Sequence, residues 1–168
     1  VAAGESERAL LAGYDTAAVC YSKGLGAPVG SAVAGTVDAM VRARKLRKRL
    51  GGGMRQAGLL AAAALFGLRG RARLAEDHRR AAMLAGGLRA LAKPSRAIEV
   101  QISDPPTNMV YWRIEGVDGN ALADELSRRG THVLHVGGGW LRAVTHLEIT
   151  DACIEHALAC AEAALGDG

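Results

Sequence analysis

Aromatic side chains are scarce in this chain: one Phe, two Trp and three Tyr make up 4% of its 168 residues. A core must therefore be assembled from Ala, Val, Leu and Ile within a hydrophobic content of 49%, and the stacking platforms on which single-stranded nucleic acid is read are missing. Cysteine is rarer still. Cys20, Cys153 and Cys160 are an odd set lying inside apolar patterns, which argues against a disulfide framework and for buried, reduced thiols. His78, His132, His135 and His156 stand at no metal-ligand spacing with a carboxylate or thiol, so no metal site is expected. Long apolar runs are absent too. Leu59 to Leu68 reaches about half of the roughly 20 residues that a bilayer crossing takes before Arg69 interrupts it. The opening Val1-Ala2-Ala3-Gly4-Glu5 has neither the basic n-region nor the apolar h-region of a secretory signal. A cytosolic protein with no membrane partner is expected.

Positive charge is what the chain has in excess, with a net charge of +4 and a pI near 9.3. It is concentrated in Arg42 to Arg49 and again at Arg69, Arg71, Arg73, Arg79 and Arg80. Without interleaved aromatics these runs read as solvated helix faces, or as a seat for a small anion, and nucleic acid is not expected as a partner.

Glycine is plentiful, at 22 residues, and its placement is informative. Thr16-Ala17-Ala18-Val19-Cys20-Tyr21 is short, small and β-leaning, and reads as a buried strand. It delivers Ser22 and Lys23 to a glycine-rich turn, Gly24-Leu25-Gly26-Ala27-Pro28-Val29-Gly30. A lysine at the end of a strand, beside backbone that a flat ligand can approach closely, is where an imine-forming amine would sit. A solvated loop lysine has the same local sequence.

The remaining pattern is legible as elements. Glu5 to Ala12 reads as a helix stopped by Gly13, and Ser31 to Gly35 as a neighbouring strand. Val37 to Leu50 reads as a helix capped by Thr36 and ended by Gly51-Gly52-Gly53, with an Ala-rich helix following from near Met54. Apolar positions recur at helical spacing from Leu74 to Leu91, and Pro94 stops them. Beyond it, strands at Ile98–Ile102, Met109–Ile114, Thr131–His135 and Trp140–Thr145 alternate with helices at Ala121–Arg129 and Thr150–Ala164. The β-β-α-β-β-α order predicts a small α+β layer.

Three segments together carry a resemblance. Ser22-Lys23-Gly24-Leu25-Gly26-Ala27-Pro28-Val29-Gly30-Ser31, then Arg47-Lys48-Arg49-Leu50-Gly51-Gly52-Gly53-Met54-Arg55-Gln56-Ala57-Gly58, then Leu141-Arg142-Ala143-Val144-Thr145-His146-Leu147-Glu148-Ile149 closely resemble, in order and spacing, segments of the L-threonine aldolases. These are pyridoxal-phosphate (PLP) enzymes of the aspartate-aminotransferase-like fold that split β-hydroxy amino acids. The likeness runs from about Asp15 to Ala164.

The resemblance implies an α/β fold class: the C-terminal part of a PLP-dependent fold type I large domain (three-layer α/β/α) over residues 1–70, a linking helix over 71–94, and a small C-terminal α+β domain over 95–168. It implies that Lys23 carries the cofactor covalently and that Ser22 lies beside it. Arg55, read as lying just inside the helix after the triple glycine, would bind the PLP phosphate of a neighbouring subunit, with Lys48 close by. Arg142 would bind the substrate carboxylate. A partly buried Lys23 would have its charged form disfavoured and so be a usable nucleophile. His146 reads as a structural, hydrogen-bonding histidine.

The implied activity is retro-aldol cleavage of L-threonine or L-allo-threonine to glycine and acetaldehyde, in a homodimer or homotetramer with its site at a subunit interface. The family's pyridine-nitrogen aspartate, ring-stacking histidine and phosphate loop would all lie ahead of Val1. The chain thus reads as a C-terminal half that holds the lysine but not a complete site. A β-eliminating PLP lyase of the same fold, a basic nucleic-acid-binding module and a catalytically dead partner subunit are the alternative readings.

Overall fold

Ser6 caps a single helical turn, Glu7–Leu10 (α1), by accepting the Ala9 N–H at 3.2 Å. The turn is shorter than the Glu5 to Ala12 expectation, because Leu10 and Leu11 are exposed and no packing extends it. Thr16–Cys20 (β1) and Ser31–Gly35 (β2) then pair antiparallel, Thr16 opposite Gly35 and Cys20 opposite Ser31. The lysine segment is the loop that joins them. This computed structural model describes residues 1–166. Its contacts divide the chain into one unit over Ala3–Leu74 and a second over Ala75–Gly168.

Both strands of the first unit are where the sequence puts them, but β1 is not buried. Only Ala17 among its residues escapes full exposure. The sheet holding it has two strands, and so small a sheet offers no second layer to cover an apolar face. Thr36 Oγ1 accepts the Ala39 N–H at 3.3 Å and opens the helix Val37–Arg49 (α2). Gly51, at φ +74°, closes it, and the Gly52 N–H returns to the Arg47 carbonyl at 2.8 Å.

The next helix, Gly58–Arg69 (α3), begins four residues after the expected Met54. Gln56 sits in the left-handed region at φ +55°, a conformation no right-handed helix can include, and so Arg55 to Ala57 form a turn. A 3-10 turn, Arg71–Arg73, leads into the helix Leu74–Ala90 (α4).

The second unit has a closed core. Ile98–Gln101 (β3), Met109–Ile114 (β4), Leu134–His135 (β5) and Leu141–Val144 (β6) form an antiparallel sheet in the order β3-β4-β6-β5. Alternate residues of β4, namely Val110, Trp112 and Ile114, point inward. They meet Ala81, Leu84, Ala85 and Leu88 of α4, Leu122 and Leu126 of Gly119–Arg128 (α5), and Ile154 and Ala161 of Asp151–Leu165 (α6). Asp118 and Thr150 cap α5 and α6.

The β-β-α-β-β-α order is as the pattern predicts. β5 is two residues long and not five, because the Thr131 N–H bonds back to the Leu126 carbonyl at 2.9 Å and so finishes α5 instead of joining a ladder. Arg79 and Arg80 of α4 both donate to Asp151 Oδ1, at 2.6 and 2.8 Å, at the first residue of α6. The paired guanidinium groups hold the Asp151 carboxyl below its usual range.

Leu126 is 1% exposed and Leu134 is 53% exposed. Leu126→Ala should cost about 2–5 kcal/mol of stability, while Leu134→Ala stays within about 0.5 kcal/mol. Chemical unfolding followed by the fluorescence of Trp112 and Trp140, both in this unit, measures the difference.

Candidate functional site

The backbone of the β1–β2 loop folds on itself before any side chain is considered. The Tyr21 N–H bonds the Gly30 carbonyl at 2.9 Å, the Ala27 N–H bonds the Tyr21 carbonyl at 2.9 Å, and the Gly26 N–H bonds the Lys23 carbonyl at 2.8 Å. Gly26, at φ +73°, makes this last turn possible. Ala27, 6% exposed, is the loop's inward anchor. Lys23 stands at the outer corner with its side chain exposed. The expectation of a partly buried lysine is therefore corrected, and what the loop supplies is a fixed backbone under an accessible amine. Ser22 is exposed beside it, 3.4 Å from the Cys20 thiol.

Lys48 and Arg55 flank the triple-glycine turn, Lys48 in the last turn of α2 and Arg55 three residues ahead of α3. Both are exposed. Arg55 is thus not inside a helix, and the argument that a helix N-terminus reinforces its hold on an anion is withdrawn with that placement. The reason is the left-handed Gln56, which delays the helix past it. No hydrogen bond or ion pair joins Lys23, Lys48 and Arg55 to one another among the described residues.

Arg142 lies in the second unit, on β6, between Tyr111 of β4 and Leu134 of β5. Its Nε is buried without a hydrogen-bond partner among the described residues. A guanidinium donor left unpaired in a partly buried position is costly until an anion arrives, and a carboxylate matches its fork geometry.

His146 stands beyond the end of β6 and accepts the Glu148 N–H at 3.4 Å through Nδ1. A cavity of about 490 Å³ in the same unit is lined by core side chains such as Leu88, Trp112 and Ile154, with His132, His146 and Cys153 among them. None of Ser22, Lys23, Lys48, Arg55 or Arg142 lines it.

The residue that sequence reading missed is Arg73. Its guanidinium donates to the Gly24 carbonyl, next to the lysine, across 49 positions of chain. In the sequence it was one arginine of a basic run, and no local signal separated it from its neighbours. The thiols also differ from expectation: only Cys160 is buried, while Cys20 and Cys153 are exposed. Both exposed thiols lie at the ends of elements, Cys20 closing β1 and Cys153 in the first turn of α6, where a hydroxyl bonds each, Ser22 for Cys20 and Thr150 for Cys153, and those bonds lower both thiols from their usual range.

The donor set of this chain, an accessible amine on a glycine-bound loop together with unpaired cationic groups, fits an aldehyde cofactor that carries a phosphate. A model of the beta-eliminating lyases matches residues 1–114. The chain belongs to the beta-eliminating lyase family.

The chain is 36% identical to low-specificity L-threonine aldolase 1 of Arabidopsis thaliana, over 98% of this chain and 46% of that protein. It is 41% identical to the low specificity L-threonine aldolase of Escherichia coli K12, over 81% and 38%. Solved structures show the same fold: a serine palmitoyltransferase of Sphingomonas wittichii superposes at a TM-score of 0.70 with 21% identity, over 94% of this chain and 41% of that one. The ureidoglycine-glyoxylate aminotransferase of Bacillus subtilis does so at 0.62 with 18% identity, over 90% and 46%. The chain spans less than half the length of these curated relatives.

Alkylation should label Cys20 and Cys153 in the native protein and Cys160 only after unfolding. Because the Thr150 bond favours the thiolate, Thr150→Ala should slow Cys153 labelling near neutral pH and leave Cys20 unchanged. Mass mapping of the labelled peptides checks both, and native labelling of Cys160 first would contradict the burial described.

Proposed function

We propose that the protein containing this chain is a PLP-dependent aldehyde-lyase that cleaves L-threonine and L-allo-threonine to glycine and acetaldehyde. The observation that carries the reading is Lys23: an exposed amine on a closed loop, in a chain 36–41% identical to low-specificity L-threonine aldolases. When bound, PLP supplies an electron-withdrawing ring that weakens the substrate bonds at Cα.

The chain's own groups take four roles. Lys23 Nζ would hold the cofactor aldehyde and, as a free amine, could take up a proton from the substrate amine. Ser22 lines the cofactor beside it. Arg55 and Lys48 neutralise the phosphate of a neighbouring subunit, which makes the working form a homodimer or homotetramer. Arg142 would donate to the substrate carboxylate through its forked N–H groups and so orient the substrate. A cytosolic location is part of this proposal. Among the described residues no helix is long and apolar enough to cross a membrane.

In the full-length protein Lys23→Ala should abolish release of glycine and acetaldehyde from threonine. Arg142→Ala should lower kcat/KM by about 100-fold, the worth of a charged hydrogen-bonded pair. A coupled alcohol dehydrogenase assay for acetaldehyde reads both. Formation of 2-oxobutanoate and ammonia in place of glycine would assign the protein to β-elimination instead.

A further inference from the structure

The lysine loop is held from outside at a stretch, Gly24-Leu25, whose carbonyls its own backbone leaves untied. Its internal bonds engage the carbonyls of Tyr21, Lys23 and Gly30 but not those of Gly24 or Leu25. These two are met by the segment running from α3 into α4. Arg73 donates to the Gly24 carbonyl in a half-buried setting. A Cβ added to Gly24 would come within 2.9 Å of Leu74 Cδ2, and one added to Gly67 of α3 would run into the Leu25 carbonyl. The loop thus rests on Gly67 and on the Arg73–Leu74 step, and at Gly67 the backbone of Leu25 leaves no room for a side chain.

We propose that Arg73 is a positioning residue for Lys23: by holding the Gly24 carbonyl it fixes the peptide next to the lysine, and so the point from which the amine reaches its aldehyde. This rests on the reading that Lys23 carries PLP. The physical reason is leverage. An exposed lysine has free side-chain rotamers, so the only part of it the fold can fix is its backbone, and a misplacement of about 1 Å at a reacting group can cost about 100-fold in rate. A charged donor on an otherwise unbonded carbonyl is the strongest single restraint present there.

The test uses the full-length protein as wild type, Arg73→Met, Arg73→Lys and Gly67→Ala. Gly67→Ala leaves Arg73 intact but pushes the neighbouring Leu25 carbonyl, so it probes the seat independently. With PLP removed, hydrogen exchange of the Gly26 and Ala27 amides should quicken at least about tenfold in Arg73→Met and in Gly67→Ala. Arg73→Lys should fall between these and wild type, and the amides of β3, β4 and β6 should be unchanged. On adding PLP, the rate of covalent capture by Lys23, followed by visible absorbance, should fall in the same order.

Unchanged loop exchange in both Arg73→Met and Gly67→Ala overturns the proposal. Quickened exchange throughout the protein does so too, since Arg73 would then be a general stabiliser. Exchange is read without PLP, so a wild-type protein that never takes up PLP overturns the functional reading separately, whatever the loop does.

Discussion

Two positions without a side chain hold the lysine loop close to its neighbours: Gly67 of α3 lets backbone meet the Leu25 carbonyl, and Gly24 leaves room for the Leu74 side chain at the start of α4. That close approach is the constraint on which the site depends. The first unit has almost no core to rely on: Ala27 and Ala64 are its buried apolar residues among those described, and its sheet is a single pair of strands. Within this chain too little apolar surface is buried to fix the loop. Directional contacts do it instead, namely the loop's own hydrogen bonds, the Arg73 bond to Gly24 and the steric fit at two glycines. An exposed amine on a rigid backbone is the outcome.

The second unit solves a different problem by different means. Its core is continuous from α4 through β4 and β6 to α5 and α6, and among the described residues two of its arginines, Arg96 and Arg142, have a buried Nε without a partner, Arg142 on a strand of the sheet. A packed sheet can carry the cost of an unpaired buried donor that a bare hairpin cannot, because the surrounding burial is large. The two units differ accordingly: an exposed amine on a hydrogen-bonded loop in the first, and an arginine with a buried, unpartnered Nε on an interior strand in the second.

Much of this was legible in the sequence wherever the signal was local. Thr36 and Thr150 mark helix starts because a side-chain oxygen at that position accepts an orphan N–H, and β4 spans Met109–Ile114 as its alternation indicates. Lys23 was found because strand, lysine and glycines are neighbours in the chain. What escaped was set by contacts distant in sequence or by one unusual dihedral. The Arg73 bond to Gly24 links residues 49 positions apart. The left-handed Gln56 takes Arg55 out of the helix that its apolar surroundings suggested. The exposure of β1, Cys20 and Cys153 depends on which layers cover them, a property that short apolar patterns do not encode.

The central claim is chemical: the amine at position 23 is the one that bonds the cofactor. Borohydride reduction of the full-length protein after incubation with PLP, followed by proteolysis and mass mapping, tests it most directly. The account predicts the reduced pyridoxyl-phosphate mass on the peptide containing Lys23 and on no other lysine. A label on Lys45, Lys48 or Lys93, or no label at all, would contradict it.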